Sequence, residues 1–338
     1  MSASVPAQAG RALLYCAGGG IGDSLVASIV ARALHRRFTT VDALTLPAHA
    51  EVLERVPDLD GVVIDAGDEG ALSQRLAARG YDACVVTWAT PRTARIPELA
   101  GIPVRVGQAR RFYSFRFTNR VVVRSEKGDV TSHWSDILLD YARAIGCDTD
   151  ERRYRLVPTL ADELQAEELS RNQGDFIILN PCNAVASRRG IWPLEGWASL
   201  ARALRERFDC RIFVSGSRAD LPMTQAIARI ACDDGIVSIA GCTGIGGFGA
   251  LARKARGFVG ITTGSMHVAA AVGAPTAGIF PFQSDFPDRW APLGPRTAII
   301  RASYPCHRGD TKEACADYAC IAHLDQARIL AATESLLS

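Results

Sequence analysis

Residues 258–280 read FVGITTGSMHVAAAVGAPTAGIF. An apolar run from Phe258 to Ile261 is followed by small hydroxyl and glycine residues. An apolar helical stretch, Met266 to Val272, comes next, and a second apolar run, Thr276 to Phe280, closes the unit. Short continuous apolar runs joined through one helix are the pattern of parallel strands buried on both faces. The alternation extends outward from here. Upstream it gives strands at Phe176 to Leu179, Arg211 to Ser215 and Ile236 to Ala240, with helices at Trp197 to Phe208, Met223 to Ala231 and Phe248 to Ala255. Further upstream, strands are expected at Ala12 to Cys16, Val41 to Leu46, Gly61 to Asp65 and Asp82 to Thr87. The helices between and after them are Asp23 to Phe38, Ala50 to Val56, Ala71 to Arg79 and Trp134 to Ile145. Leu324 to Leu336 reads as a last helix.

The whole is an α/β chain of two Rossmann-like, doubly wound parallel sheets. At ~100–200 residues per domain, 338 residues make two. The alternation restarts after Arg152 to Pro158, so the expected division is 1–155, 156–322 and a closing helix at 323–338. Such folds bind ligands at the carboxyl ends of their strands, and a cleft between the two sheets is expected to hold the site. The formal charge of +2 is too small to point to nucleic acid. No apolar run reaches the ~18 residues of a membrane span, and Met1 to Gly10 lacks the order of a signal peptide, so a cytoplasmic protein is expected.

Four loops carry the candidate chemistry. In Gly18-Gly19-Gly20-Ile21-Gly22-Asp23, glycines let backbone N–H groups approach a ligand at a helix start. The third glycine of a dinucleotide fingerprint is replaced by Asp23, which disfavours a pyrophosphate there. Asp23 reads either as a helix cap or as a general base for an acceptor hydroxyl, with Gly20 and Gly22 lining the acceptor. Arg188 and Arg189, after the first strand of the second half, suit a phosphate, or are solvated charge. Ser215 to Asp220 ends the next strand; Asp220 reads as a holder of a nucleoside hydroxyl pair or as a turn and cap. Thr262-Thr263-Gly264-Ser265-Met266-His267 is the sharpest signal. Hydroxyls and free first-turn N–H groups there form a cradle for a diphosphate, with His267 in the same turn.

Two further clusters stand out. Arg105, Arg110, Arg111, Arg116, Arg120 and Arg124 are interleaved with Phe112, Tyr113, Phe115 and Phe117. Guanidinium groups suit phosphates and carboxylates, and aromatics suit sugar faces or lipid; a solubilising loop has the same composition. Arg105, Arg110, Arg111 and Arg116 are the expected acceptor contacts. Of ten cysteines, most sit in apolar patterns, but Cys306, His307, Cys315 and Cys320 gather near the C-terminus. They read as structural thiols, a zinc or iron site, or a disulfide; their spacing fits no standard finger.

These motifs resemble a known family. Gly22-Asp23 after the first strand, Trp192-Pro193, and Thr263-Gly264-Ser265-Met266-His267 before an Ala-rich helix are similar, in order and spacing across nearly the whole chain, to glycosyltransferase family 9, the ADP-heptose:lipopolysaccharide heptosyltransferases. The resemblance implies a GT-B fold, with the acceptor on the N-terminal domain and the nucleotide sugar on the C-terminal one. It implies inverting, single-displacement transfer without a metal or other cofactor. Asp23 matches the family's base, Thr263-Gly264 its diphosphate loop and His267 its histidine, while Asp220 lies near its ribose acid. Two positions depart. Thr262 stands where the family has Asp, and Gly190 where it has Lys, with Arg189 one residue earlier. The implied acceptor is an anionic glycan or glycolipid such as the lipopolysaccharide inner core. It is reached from the cytoplasm, with peripheral contact at the inner membrane face. Rival readings are a repurposed nucleotide-sugar or glycan-binding protein, a sugar-nucleotide epimerase and a nicotinamide-dependent oxidoreductase. Asp23 and the internal position of Asp42 count against the last.

Overall fold

The computed structural model describes residues 10–182, 192–282, 286–305, 315 and 319–338. The chain forms two compact units, one up to Arg155 and one from Leu156 onward. In the first, the strands are β1 (Arg11–Tyr15), β2 (Thr40–Thr45), β3 (Gly61–Ile64), β4 (Ala83–Val86), β5 (Val104–Gln108) and β6 (Asn119–Val121). The helices are α1 (Ile21–Ala27), α2 (Ile29–Leu34), α3 (Pro47–Leu53), α4 (Glu69–Arg79), α5 (Pro91–Leu99) and α6 (Trp134–Arg143). The strands pair in parallel in the order β3-β2-β1-β4-β5-β6. Ala12, Leu13, Leu14 and Tyr15 are all fully buried, which is why this strand is a continuous apolar run.

The second unit contains α7 (Leu160–Ser170), β7 (Phe176–Asn180), α8 (Leu194–Phe208), β8 (Arg211–Val214), α9 (Leu221–Ala231), β9 (Ile236–Ser238) and α10 (Ile245–Lys254). It continues with β10 (Gly257–Ile261), α11 (Gly264–Ala271), β11 (Thr276–Phe280), α12 (Pro287–Trp290), β12 (Thr297–Arg301), α13 (Ala319–Ala322) and α14 (Gln326–Leu337). Its sheet runs β12-β11-β10-β7-β8-β9, again parallel. Counted within the unit, this is the same strand order as the first sheet. Each sheet therefore reverses direction between its first and fourth strands, β1/β4 and β7/β10, and ligands bind beyond the carboxyl ends at that point. The last helix, α14, belongs to this unit: Ile329 is fully buried in its core, and Asp325 caps the helix by accepting from the Ala327 N–H at 2.9 Å.

Several elements differ from expectation for local reasons. The helix expected from Asp23 starts at Ile21, so Asp23 is its third residue. It is interrupted at Ser28, whose hydroxyl donates to the Leu25 carbonyl at 2.6 Å, a back-bond that bends helices. Helix α5 sits in a stretch, 88–103, to which the sequence analysis assigns no element. Pro91 is at a first-turn position, where no N–H is needed, and Thr90 and Thr93 form a reciprocal capping box. The Arg-rich stretch contains strands β5 and β6, whose polar residues hide them from a periodicity reading. Among the described residues no helix is long and apolar enough to cross a membrane.

Candidate functional site

In the first unit the loop after β1 is shaped by three glycines with different tasks. A Cβ on Gly18 would overlap the Trp88 ring. Gly19 has φ +69°, and a Cβ there would overlap the Asp23 carboxyl group. Gly20 is the residue before α1, and its N–H donates to Asp23 Oδ2 at 2.7 Å. Asp23 is half-buried and Gly22 buried in the first turn. The carboxylate therefore sits at the mouth of the sheet while satisfying one of the helix's own donors.

Beneath this turn, Ser24 Oγ lies 3.0 Å from His49 Nδ1 on α3, and both residues are buried. Burial holds His49 below the ordinary histidine value, with the Asp23 charge pulling the other way. Asp65, just past β3, is also buried. Burial alone would raise its carboxyl. Hydrogen bonds from Arg92, from the Tyr15 hydroxyl at 2.8 Å and from the Gly67 N–H at 3.0 Å bring it below the usual carboxylate range. Burial and the bond to Asp65 push the Tyr15 phenol up. Asp42 belongs elsewhere: its carboxylate takes Arg11 at 2.9 Å and the Tyr81 hydroxyl at 2.6 Å, an internal network.

The arginine segment divides. Arg105 folds back onto the backbone, donating to the carbonyls of Arg116 at 2.8 Å and Ile102 at 2.6 Å. Arg116 is ion-paired with Glu98 and stacked over Phe115 at 4.9 Å. Arg111 pairs with Glu126 at 2.8 Å, and Arg110 is exposed, its nearest acceptor being the Glu126 carbonyl at 3.4 Å. Arg110, Arg111 and Arg116 lie in the segment between β5 and β6.

In the second unit, Thr263 precedes α11 in an extended conformation (φ −142°) and makes no side-chain cap. Its hydroxyl lies 2.8 Å from the Ser265 hydroxyl. The first-turn N–H groups of Gly264 and Ser265 thus keep their donors for something else. Thr262 is half-buried and its N–H donates to Ile279, while His267 is buried, at 5% exposure. Asp220, just before α9, accepts from the Ser217 N–H at 2.8 Å and the Ser217 hydroxyl at 2.6 Å, both through Oδ2. Burial and the neighbouring Asp220 push the Cys182 thiol up.

Asn180, which ends β7 at the switch point, was not singled out by the sequence reading. It is 4% exposed, donates to Ser215 Oγ at 3.0 Å, and its Oδ1 has no hydrogen-bond partner. Arg188, Arg189, Cys306 and His307 lie outside the described residues. Cys320 is buried in the core, with Cys315 packed against it. Among the described residues no three metal-ligating side chains gather.

The model of glycosyltransferase family 9 (heptosyltransferase) matches residues 70–318. The chain belongs to glycosyltransferase family 9. It is a glycosyltransferase with the two-domain GT-B fold of that family. Among solved structures it is similar to the family 9 transferase of Veillonella parvula, at 16% identity, TM-score 0.85 and 98% of both chains covered. It is similar to the E. coli ADP-heptose lps heptosyltransferase II, at 19% identity and TM-score 0.77, covering 97% of this chain and 98% of that one. It also resembles the E. coli heptosyltransferase WaaC with ADP, at 16% identity and TM-score 0.70, covering 86% of this chain and 93% of that one.

Proposed function

We propose that this family 9 member is an inverting, metal-independent transferase that moves a heptose from ADP-heptose to a hydroxyl of an anionic glycan or glycolipid, such as the lipopolysaccharide inner core. The observation that carries the reading is the contrast between two helix starts: an uncapped one at Thr263–Ser265 and one bearing a carboxylate at Asp23. The first suits a diphosphate; the second suits a proton acceptor and repels an anion. The names of similar structures, an ADP-heptose heptosyltransferase and WaaC with ADP, favour the adenine nucleotide.

In this reading the second unit binds the donor. The N–H groups of Gly264 and Ser265 and the hydroxyls of Thr263 and Ser265 take the diphosphate oxygens. Thr262 and His267 shape the turn, Arg188 or Arg189 adds charge, and Asp220 takes the ribose hydroxyls. The first unit binds the acceptor along Gly20, Gly22, Arg110, Arg111 and Arg116, with Arg105 supporting that loop through its backbone bonds. Asp23 removes the proton of the acceptor hydroxyl as its oxygen bonds to the anomeric carbon. The bond from that carbon to the phosphate oxygen breaks, and the nucleoside diphosphate leaves with the electron pair. Donors already in place for that growing charge lower the barrier without reorganising. The work is done in the cytoplasm, with peripheral contact at the inner membrane face when the acceptor is a glycolipid.

Thermal stabilisation across ADP-, UDP-, GDP- and dTDP-sugars tests the donor, and product formation tests the step. ADP-heptose is expected to stabilise selectively. Asp23→Asn should bind donor as the wild type does while turnover falls ~10²–10⁴-fold. No response to any nucleotide sugar would overturn the reading in favour of a repurposed binding protein; donor consumption without acceptor would favour an epimerase.

A further inference from the structure

His49 is the third residue of α3, the short helix that packs on α1, β2 and β3. Its ring is 6% exposed. Histidine is the side chain whose ordinary charge change falls near physiological pH. Burying one against the helix that carries Asp23 therefore bears on chemistry as well as on packing.

The contact is specific. Nδ1 lies 3.0 Å from the Ser24 hydroxyl, and Ser24 follows Asp23 in α1. That hydroxyl has a second acceptor within reach, the Cys16 carbonyl at 3.5 Å, which also takes the Thr45 hydroxyl at 3.3 Å. The shorter contact favours a hydroxyl that donates to Nδ1, which leaves the ring neutral with its proton on Nε2. In a protonated ring Nδ1 must donate instead, and the Ser24 proton must turn to the longer contact, on an oxygen already in use. The pair thus favours the neutral ring, and burial acts in the same direction.

The charged and titratable groups around the ring come from each element packed against it. Helix α1 supplies Asp23, and α3 itself supplies Glu51, which is paired with Arg55. Strand β2 supplies Asp42, whose carboxylate takes Arg11 and the Tyr81 hydroxyl. Past β3, Asp65 is bound by Arg92 and Tyr15. Past β1, burial pushes the Cys16 thiol up to about 12, so it stays uncharged. Among the described residues, Asp23 is the charge that acts on the His49 ring, and it favours the proton there. The coupling is reciprocal: a proton on His49 favours the ionised form of Asp23 and makes it a weaker base.

We propose that His49 is a positioning residue for the transfer step: neutral, it leaves Asp23 a strong base, and protonated from solvent, it weakens Asp23 and slows turnover. The inference rests on Asp23 being the base of the proposed transferase. It adds a proton-controlled brake that is built from α1 and α3.

Histidine NMR on the full, carbon-13-labelled chain follows the ring directly, with His49→Gln identifying its signal. In the wild type His49 is expected to titrate below 6.5, and in Asp23→Asn lower still, because the charge that favours its proton is gone. An unmoved midpoint overturns the proposal and leaves the transferase reading intact. Turnover is followed with ADP-heptose and heptose-free lipopolysaccharide, each variant scaled to its own alkaline plateau. Wild-type kcat should fall about three- to tenfold as the pH drops through the His49 midpoint, the loss that a weaker base brings. KM for ADP-heptose should carry no such step. His49→Gln keeps a bond to Ser24 and cannot charge, so its profile should lack the step and show only the lower limb of the Asp23 carboxylate. A role in packing alone would change the level and not the shape, so superimposable scaled profiles overturn the proposal. No transfer at any pH removes the transferase reading and this inference with it.

Discussion

The two sheets share one strand order and differ in what they place at the switch point. Beyond β1 the helix start is occupied by its own Asp23 carboxylate, on a loop against which the Trp88 ring packs at Gly18. Beyond β10, the other strand of the second sheet's switch point, the helix start carries hydroxyls and glycine, with no carboxylate in its first turn. Topology thus sets where a ligand can bind, and a single residue type at the start of the helix sets which charge is welcome. A carboxylate among the helix's N–H groups satisfies them internally and repels phosphate; small hydroxyl residues leave them for a ligand.

The contrast can be broken most severely by moving the carboxylate. Ser265→Asp would put an anion into the first turn of α11, as Asp23 stands in α1. Nucleotide affinity measured by calorimetry is expected to fall roughly 10²-fold, since like-charge juxtaposition costs several kcal/mol. Unchanged ADP affinity would mean that the diphosphate sits elsewhere.

A smaller effect tests what holds the first sheet's edge. Arg92→Ala would leave Asp65 buried with only Tyr15 and the Gly67 N–H as partners. Because Arg92 is partly exposed, we expect a loss of about 2–3 kcal/mol in denaturant unfolding, below the full cost of breaking a buried pair. Asp65 is held below the usual carboxylate range, so its contribution is present at neutral pH and lost as pH falls through its folded value. The variant should therefore show a flatter acid limb. Equal stability of variant and wild type from neutral pH down to the acid limb would refute the pair's role.

The smallest effect concerns His49. Its folded value is lowered, so the unfolded chain takes up the proton first, and stability is lost as pH falls below the ordinary 6.5. His49→Gln can still bond Ser24 and cannot charge. Its melting temperature should fall less than that of the wild type on going below that pH. Parallel curves would show that His49 is not buried as a neutral ring beside Asp23.

Much of the architecture was legible because strands β1, β4, β7, β10 and β11 are buried on both faces and so read as apolar runs. The glycine loop, Asp23 and the Thr263–His267 turn were legible for the same reason, since they fall where a strand must hand over to a helix. Helix α5 was not: it contains Pro91 and Pro97, and its start is set by the Thr90–Thr93 capping box, whose reciprocal bonds only the folded chain shows. The arginine segment was read as one cluster, whereas folding sends Arg105 to backbone carbonyls, Arg111 to Glu126 and Arg116 to Glu98.

The sequence by itself determined the α/β class, the two-part layout and the loops at the strand ends, since hydrophobic period and helix-start chemistry are properties of neighbouring residues. Only the tertiary structure decided that Gly18 makes room for Trp88, that Ser24 meets His49, and that Asp65 draws in Tyr15 and Arg92. Those partners are brought together by strand order and helix packing, and no local pattern encodes which side chains will share a buried space.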